Sequence, residues 1–219
     1  MSLLVLGTVA FDTIETEFGK AEKILGGAAT FTCITSSYFI NPNILSIVGY
    51  DFSKKYIELL ENHNVNLKGL EVHETEKTFF WSGRYHKDMN IRDTIDTQLN
   101  VLSHFDPIIP KEKNNPDFLM LGNVVPAVQL KVFNQIKKKP KLVAMDTMNL
   151  WIDNCYDDLV KIIKKVDLLM INDQEIQELH NIQNIDLAIS KTFELGLEYI
   201  IVKMGSEGAL LVSKKGDKF

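Results

Sequence analysis

The stretch Leu168-Leu169-Met170-Ile171-Asn172-Asp173-Gln174-Glu175 decides the fold. Its first four residues are apolar without alternation, which reads as a strand buried on both faces, as in a parallel sheet between helix layers. The polar tetrapeptide that follows reads as the turn at that strand's carboxyl end, opening a helix. In open α/β sheets, ligands bind at that edge. An amide and a carboxylate placed there could hold a hydrated magnesium ion or the groups around a phosphate. The same residues also spell a capping box, with Asn172 as N-cap and Glu175 reaching back. On these four residues alone the two readings stand level.

Outward from this point the strand–helix unit recurs. Leu3 to Gly7 reads as a buried strand, and Gly26-Gly27 opens a helical stretch from Ala28 to Phe39. Asn43 to Gly49 is a second strand. A helix from about Ser53 to His63 follows, with Tyr56, Ile57, Leu59 and Leu60 on one face. Beyond Pro116 the pattern predicts strands at Phe118 to Leu121, Lys141 to Met145, Tyr199 to Lys203 and Ala209 to Ser213. Helices are expected at Pro126 to Lys138, Tyr156 to Lys165, Asp173 to His180 and Asp186 to Leu195, with lysines 137 to 139 as a solvated helix end. Strands separated by helices predict a three-layer α/β/α fold with a mostly parallel, Rossmann-like sheet.

One region breaks the rhythm. Thr78 to His86 is aromatic and β-prone, with Phe79, Trp81 and Tyr85 pointing one way and Phe80, Arg84 and His86 the other. With Thr13 to Phe18 it predicts a small β-sheet standing apart from the core as a lid. The expected division is a core of 1–11, 25–77 and 101–219 with a lid of 12–24 and 78–100.

Bulk properties narrow the function classes. A chain of 219 residues, 45% hydrophobic and 24% charged, has an ordinary globular balance and room for one sizeable core with an accessory element. A net charge of −5 argues against a dedicated nucleic-acid binder, while local amides and lysines could still bind a small anion. The two cysteines, Cys33 and Cys155, form no CxxC pair, which fits a reducing, cytoplasmic setting without a structural zinc or disulfides. The apolar start, Met1 to Gly7, is too short for a signal segment. No apolar run reaches the roughly 20 residues that cross a bilayer. The five histidines show no ligand spacing.

Polar and glycine residues gather where strands end: Asp12, Gly26-Gly27, Asn123, Asp146 with Asn149, Asn172 with Glu175, and Gly205 with Gly208 after Lys203. Each alone is ordinary cap or turn chemistry. Together, a parallel sheet would bring them to one edge. The paired glycines could let a ligand approach a helix N-terminus with free N–H groups. The Lys203 to Gly208 turn could be a plain hairpin or a bare platform for a nucleotide. There is no GxxxxGK[ST] loop and no GxGxxG fingerprint, which makes a nicotinamide-dependent oxidoreductase a weak reading.

With these residues assembled, the chain resembles the ribokinase-like (PfkB) carbohydrate kinase family over all 219 residues. The resemblance rests on the order of Asp12, Gly26-Gly27, the lid segment, Asn172-x-x-Glu175 and Lys203-x-Gly205-x-x-Gly208. Trp81-Ser82-Gly83-Arg84-Tyr85 and Asp146-Thr147-Met148-Asn149 look like a subgroup of sugar kinases. The resemblance implies ATP-dependent phosphoryl transfer to a hydroxyl of a sugar or nucleoside. Asp12, Gly26, Gly27, Trp81, Arg84 and Asn123 would bind the acceptor. Asn172, Lys203, Gly205 and Gly208 would bind ATP, and Asn172 and Glu175 would organise Mg2+ through water. The lid aromatics lean towards a base-bearing acceptor; alternatively they pack between protomers of a homodimer joined through the lid. Two departures stand out. Phe31 replaces the asparagine of the family's GGxxxN signature. The GAGD motif, which supplies the anion hole and catalytic aspartate, does not occur before Phe219, so no aspartate present is assigned as base. The expectation is a piece of a longer kinase; a non-catalytic sugar- or nucleoside-binding module is the alternative.

Overall fold

Leu3-Leu4-Val5-Leu6 form β1 (Leu3–Leu6), the strand around which the main sheet is ordered, in a computed structural model that describes residues 1–219. The chain then leaves the main sheet for β2 (Ala10–Thr16) and β3 (Gly19–Gly26) and returns through α1 (Ala28–Ser37), β4 (Pro42–Gly49), α2 (Lys54–Asn62) and β5 (Asn66–His73). A second excursion makes β6 (Phe79–Tyr85) and β7 (Arg92–Gln98). The remainder alternates: β8 (Phe118–Leu121), α3 (Pro126–Gln135), β9 (Leu142–Asp146), α4 (Asn149–Asn154), α5 (Tyr156–Ile163), β10 (Leu168–Asn172), α6 (Asp173–His180), α7 (Ile185–Phe193), β11 (Tyr199–Lys203) and β12 (Ala209–Ser213).

The main sheet has the order β12-β11-β10-β9-β8-β1-β4-β5, parallel except for β12. Val5 pairs with Ile44 on one side and Met120 on the other, both in parallel, so the order in which strands are added to the sheet reverses at β1. A crevice opens outside the carboxyl ends of the strands at such a point. Alternate side chains feed opposite layers. Leu4 and Leu6 join the core under α3 to α7, and Val5 joins the one under α1 and α2. This is the expected α/β/α arrangement. Each fully buried Leu, Ile or Val contributes about 1.5–3 kcal/mol against an exposed reference. No helix is long and apolar enough to cross a membrane.

The second sheet, β3-β2-β6-β7, joins two antiparallel hairpins through a parallel β2–β6 pairing. Strand β7 shows no apolar alternation and is exposed along its whole length. Only cross-strand pairing with β6 holds it, which is why composition did not reveal it. α3 ends at Gln135 rather than Lys138. Pro140 disfavours helix at the residue before it, and Ile136 is already extended. The lysines at 137 to 139 therefore lie beyond the helix, and Lys139 Nζ sits 3.3 Å from Asp167.

Gly27 caps α1 with φ 98°, and a Cβ there would collide with the carbonyl oxygen of Thr8. Gly27→Ala should lower the unfolding free energy by about 1–3 kcal/mol, read by urea denaturation. An unchanged midpoint would contradict the geometry.

Candidate active site

Thr8, past the end of β1, sets the entry to α1. Its hydroxyl accepts from the Ala28 N–H at 3.1 Å and its carbonyl from the Ala29 N–H at 2.9 Å. Two amides expected to face a ligand are thus already partnered, and Gly27 serves as a close-approach position. Asp12 follows on β2, its carboxylate lying on Gly26, which has no side chain to displace it. Burial alone pushes the Asp12 carboxyl up to about 6.

Next to β1, β8 ends at Gly122-Asn123. The Trp151 indole N–H on α4 donates to Asn123 Oδ1 at 2.7 Å, fixing the amide in place. Gln129 is 1% exposed, and its side-chain amide donates to the carbonyls of Leu121, Gly122 and Asp146, tying the ends of β8 and β9. The sequence held one sign of this residue, a polar side chain on the face of α3 that Pro126 and Val132 bury.

At the end of β10 the opening tetrapeptide forms the capping box. Asn172 Oδ1 accepts from the Glu175 N–H at 2.7 Å, and Glu175 Oε2 accepts from the Asn172 N–H at 3.0 Å. Glu175 is only 5% exposed. Burial raises its pKa, opposed by the Asn172 hydrogen bond and by Lys203 and Arg92. Lys203 Nζ pairs with Asp146 Oδ1 at 2.9 Å.

These pieces border one cavity of about 440 Å³, within the range of small-molecule sites. Asp12, Gly27, Trp81, Asn123, Asn172 and Glu175 line it. Four other candidates stand just behind or beside that lining: Gly26 under Asp12, Lys203 on Asp146, and Gly205 with Gly208 in the β11–β12 turn. The lid tip reaches that turn, with Asn90 against Gly205. Arg84 corrects an expectation. It turns to the other face of the lid and pairs with Glu15 at 2.9 Å, outside the cavity. The basic residue that does line the cavity is Arg92, at the start of β7. Phe31, Met148 and Gln174 also line it without having been singled out as contacts.

A model of the pfkB family of carbohydrate kinases matches residues 2–219. The chain belongs to the pfkB carbohydrate kinase family. Among solved structures it is similar to the Methanocaldococcus jannaschii nucleoside kinase, an archaeal member of the ribokinase family, at 24% identity and TM-score 0.76; the match covers 100% of this chain and 75% of that one. The Burkholderia thailandensis nucleoside kinase in complex with inosine matches at 12% identity and TM-score 0.77, covering 100% and 75%. An E. coli protein described as a ribokinase II, solved with ATP and Mg2+, matches at 19% and 0.78, covering 100% and 77%. These likenesses establish a shared fold. The chain matches no curated protein sequence.

Because its folded pKa of about 6 lies above the ordinary aspartate value of 3.8, Asp12 contributes stability that is full below 3.8 and lost as pH rises through 6. Asp12→Asn should remove that slope from a Tm-against-pH profile while keeping the fold. An unchanged slope would contradict the burial of this carboxyl.

Proposed function

We propose that this family member transfers the γ-phosphoryl group of ATP to a hydroxyl of a sugar or nucleoside. The observation that carries the reading is one cavity lined together by Asp12, Gly27, Asn123, Asn172, Glu175 and lid residues. Asp12 accepts from acceptor hydroxyls, Gly27 lets the acceptor close on the backbone, and the Asn123 amide orients it. Trp81 belongs to a lid whose closure excludes water and so limits wasteful hydrolysis. Lys203, Gly205 and Gly208 flank the nucleotide. The catalytic base is not assigned to any aspartate of this chain.

The donors suit a hydrated magnesium ion rather than a direct cage. No three His, Cys, Asp or Glu groups are arranged to hold a metal. Asn172 Oδ1 and Glu175 Oε2 are each engaged with the α6 backbone, while Glu175 Oε1 has no such partner and could take a metal-bound water. Bound there, magnesium would neutralise phosphate charge in transfer. Transfer of this kind depends on positioning and electrostatics, which is what these residues supply.

The test is ATP-to-ADP turnover by the full-length protein against ribose, fructose, adenosine, inosine and guanosine. Turnover above the ATP-only background with at least one acceptor is expected, and none with any would overturn the reading. Glu175→Gln keeps an oxygen for the Asn172 N–H. It should cut the magnesium-dependent rate about 10–100-fold with little change in Tm. Rate and stability falling together would leave Glu175 with capping alone.

A further inference from the structure

Trp81 is held as a plate. A Cβ on Gly83, two residues along the same face of β6, would collide with the six-membered ring of Trp81, so the indole lies down along the strand. Its Nε1–H donates to Thr94 Oγ1 at 3.3 Å on β7, where Thr94 pairs with Gly83. The ring is therefore fixed against Gly83 and by its N–H, and Trp81 lines the cavity.

Phe31, one turn into α1, lines the same cavity and is 60% exposed. Neither ring has an aromatic partner in the protein. The close aromatic contacts gather Phe11, Phe52 and Tyr56 in the core and Tyr38 with His63. Exposed apolar surface in a cavity that also carries Asp12, Asn123 and Asn149 suits a ligand with one flat, weakly polar part and one hydroxylated part. Phe31 offers such a ligand only a ring.

We propose that the acceptor is a nucleoside whose base stacks on the Trp81 indole with Phe31 beside it, and that Gly83 and Thr94 are the positioning residues for that platform. This rests on the kinase reading and names its substrate class. The ribose hydroxyls then fall to Asp12 and Asn123. Stacking on an aromatic side chain is tolerant of base identity, so purine and pyrimidine nucleosides should both bind.

The experiment is calorimetric titration and tryptophan fluorescence of the full-length protein, without ATP, with inosine, adenosine, cytidine, ribose and fructose. Nucleosides should bind and quench fluorescence, and the free sugars should bind at least about 10-fold more weakly without quenching. Trp81→Leu should remove the quench and weaken nucleosides about 10–100-fold while changing ribose little. Gly83→Val keeps the indole but displaces it, and should do the same to nucleoside affinity. Phe31→Asn alters an exposed position, so its fold should survive; it should narrow the gap between nucleosides and ribose. Sugars binding as tightly as nucleosides, or an unchanged nucleoside affinity in Trp81→Leu or in Phe31→Asn, would overturn the proposal. ATP turnover separates the two readings. Nucleoside binding without phosphorylation sinks the kinase reading alone, and phosphorylation confined to free sugars sinks the nucleoside proposal alone.

Discussion

Parallel pairing on both sides of β1 is the constraint from which the rest follows. Leu3 to Leu6 hydrogen-bond to β4 on one side and β8 on the other, in register from end to end. Parallel pairing puts the carboxyl ends of β1, β8, β9, β10 and β11 on one edge. The reversal of strand order at β1 opens the crevice there. Asp12 and Gly27 lie on the excursion that follows β1, Asn123 follows β8, and Asn172 with Glu175 follows β10. The three groups are far apart in sequence. Burial of Leu4, Val5 and Leu6, all 1% exposed or less, holds that geometry fixed.

Several groups on this edge serve the fold and the site together. Asn172 and Glu175 close the capping box, which holds Glu175 in a buried position where its ionisation is disfavoured. Thr8 accepts from the first two amides of α1, which holds the Gly27 cap against the cavity. Gln129 ties two strand ends whose following residues, Asn123 and Met148, meet in the cavity wall. A buried hydrogen bond contributes a net of about 1 kcal/mol, so a few of them fix side chains without dominating stability, which comes from the core.

Much of this was legible because periodicity and caps are local. The run Leu168 to Ile171 and the box after it stand where the pattern put them, as do β8, β11 and β12. What was not legible depends on partners distant in sequence. β7 falls inside the expected lid, 78–100, but its own residues carry no strand pattern until β6 pairs with it. Alternation along β6 already set Arg84 on the face opposite Trp81; what the sequence did not show is its partner there, the carboxylate of Glu15 on the neighbouring β2, which the resemblance to the family passed over. Arg92 had no local signal because it enters the cavity from that unrecognised strand. The Trp81 plate needs Gly83, which is local to it on β6, and Thr94, which only the pairing of β6 with β7 brings beside the ring.

The central claim is that one edge of the sheet holds an acceptor subsite at Asp12 and Gly27 and a separate phosphate shoulder at Asn172 and Glu175, side by side in one cavity. Equilibrium titration of the full-length protein with a non-hydrolysable ATP analogue and magnesium, with and without saturating acceptor, tests it most directly. A ternary complex, in which each ligand binds with the other in place, is the predicted result. Mutual exclusion of analogue and acceptor would show a single shared subsite and contradict the account.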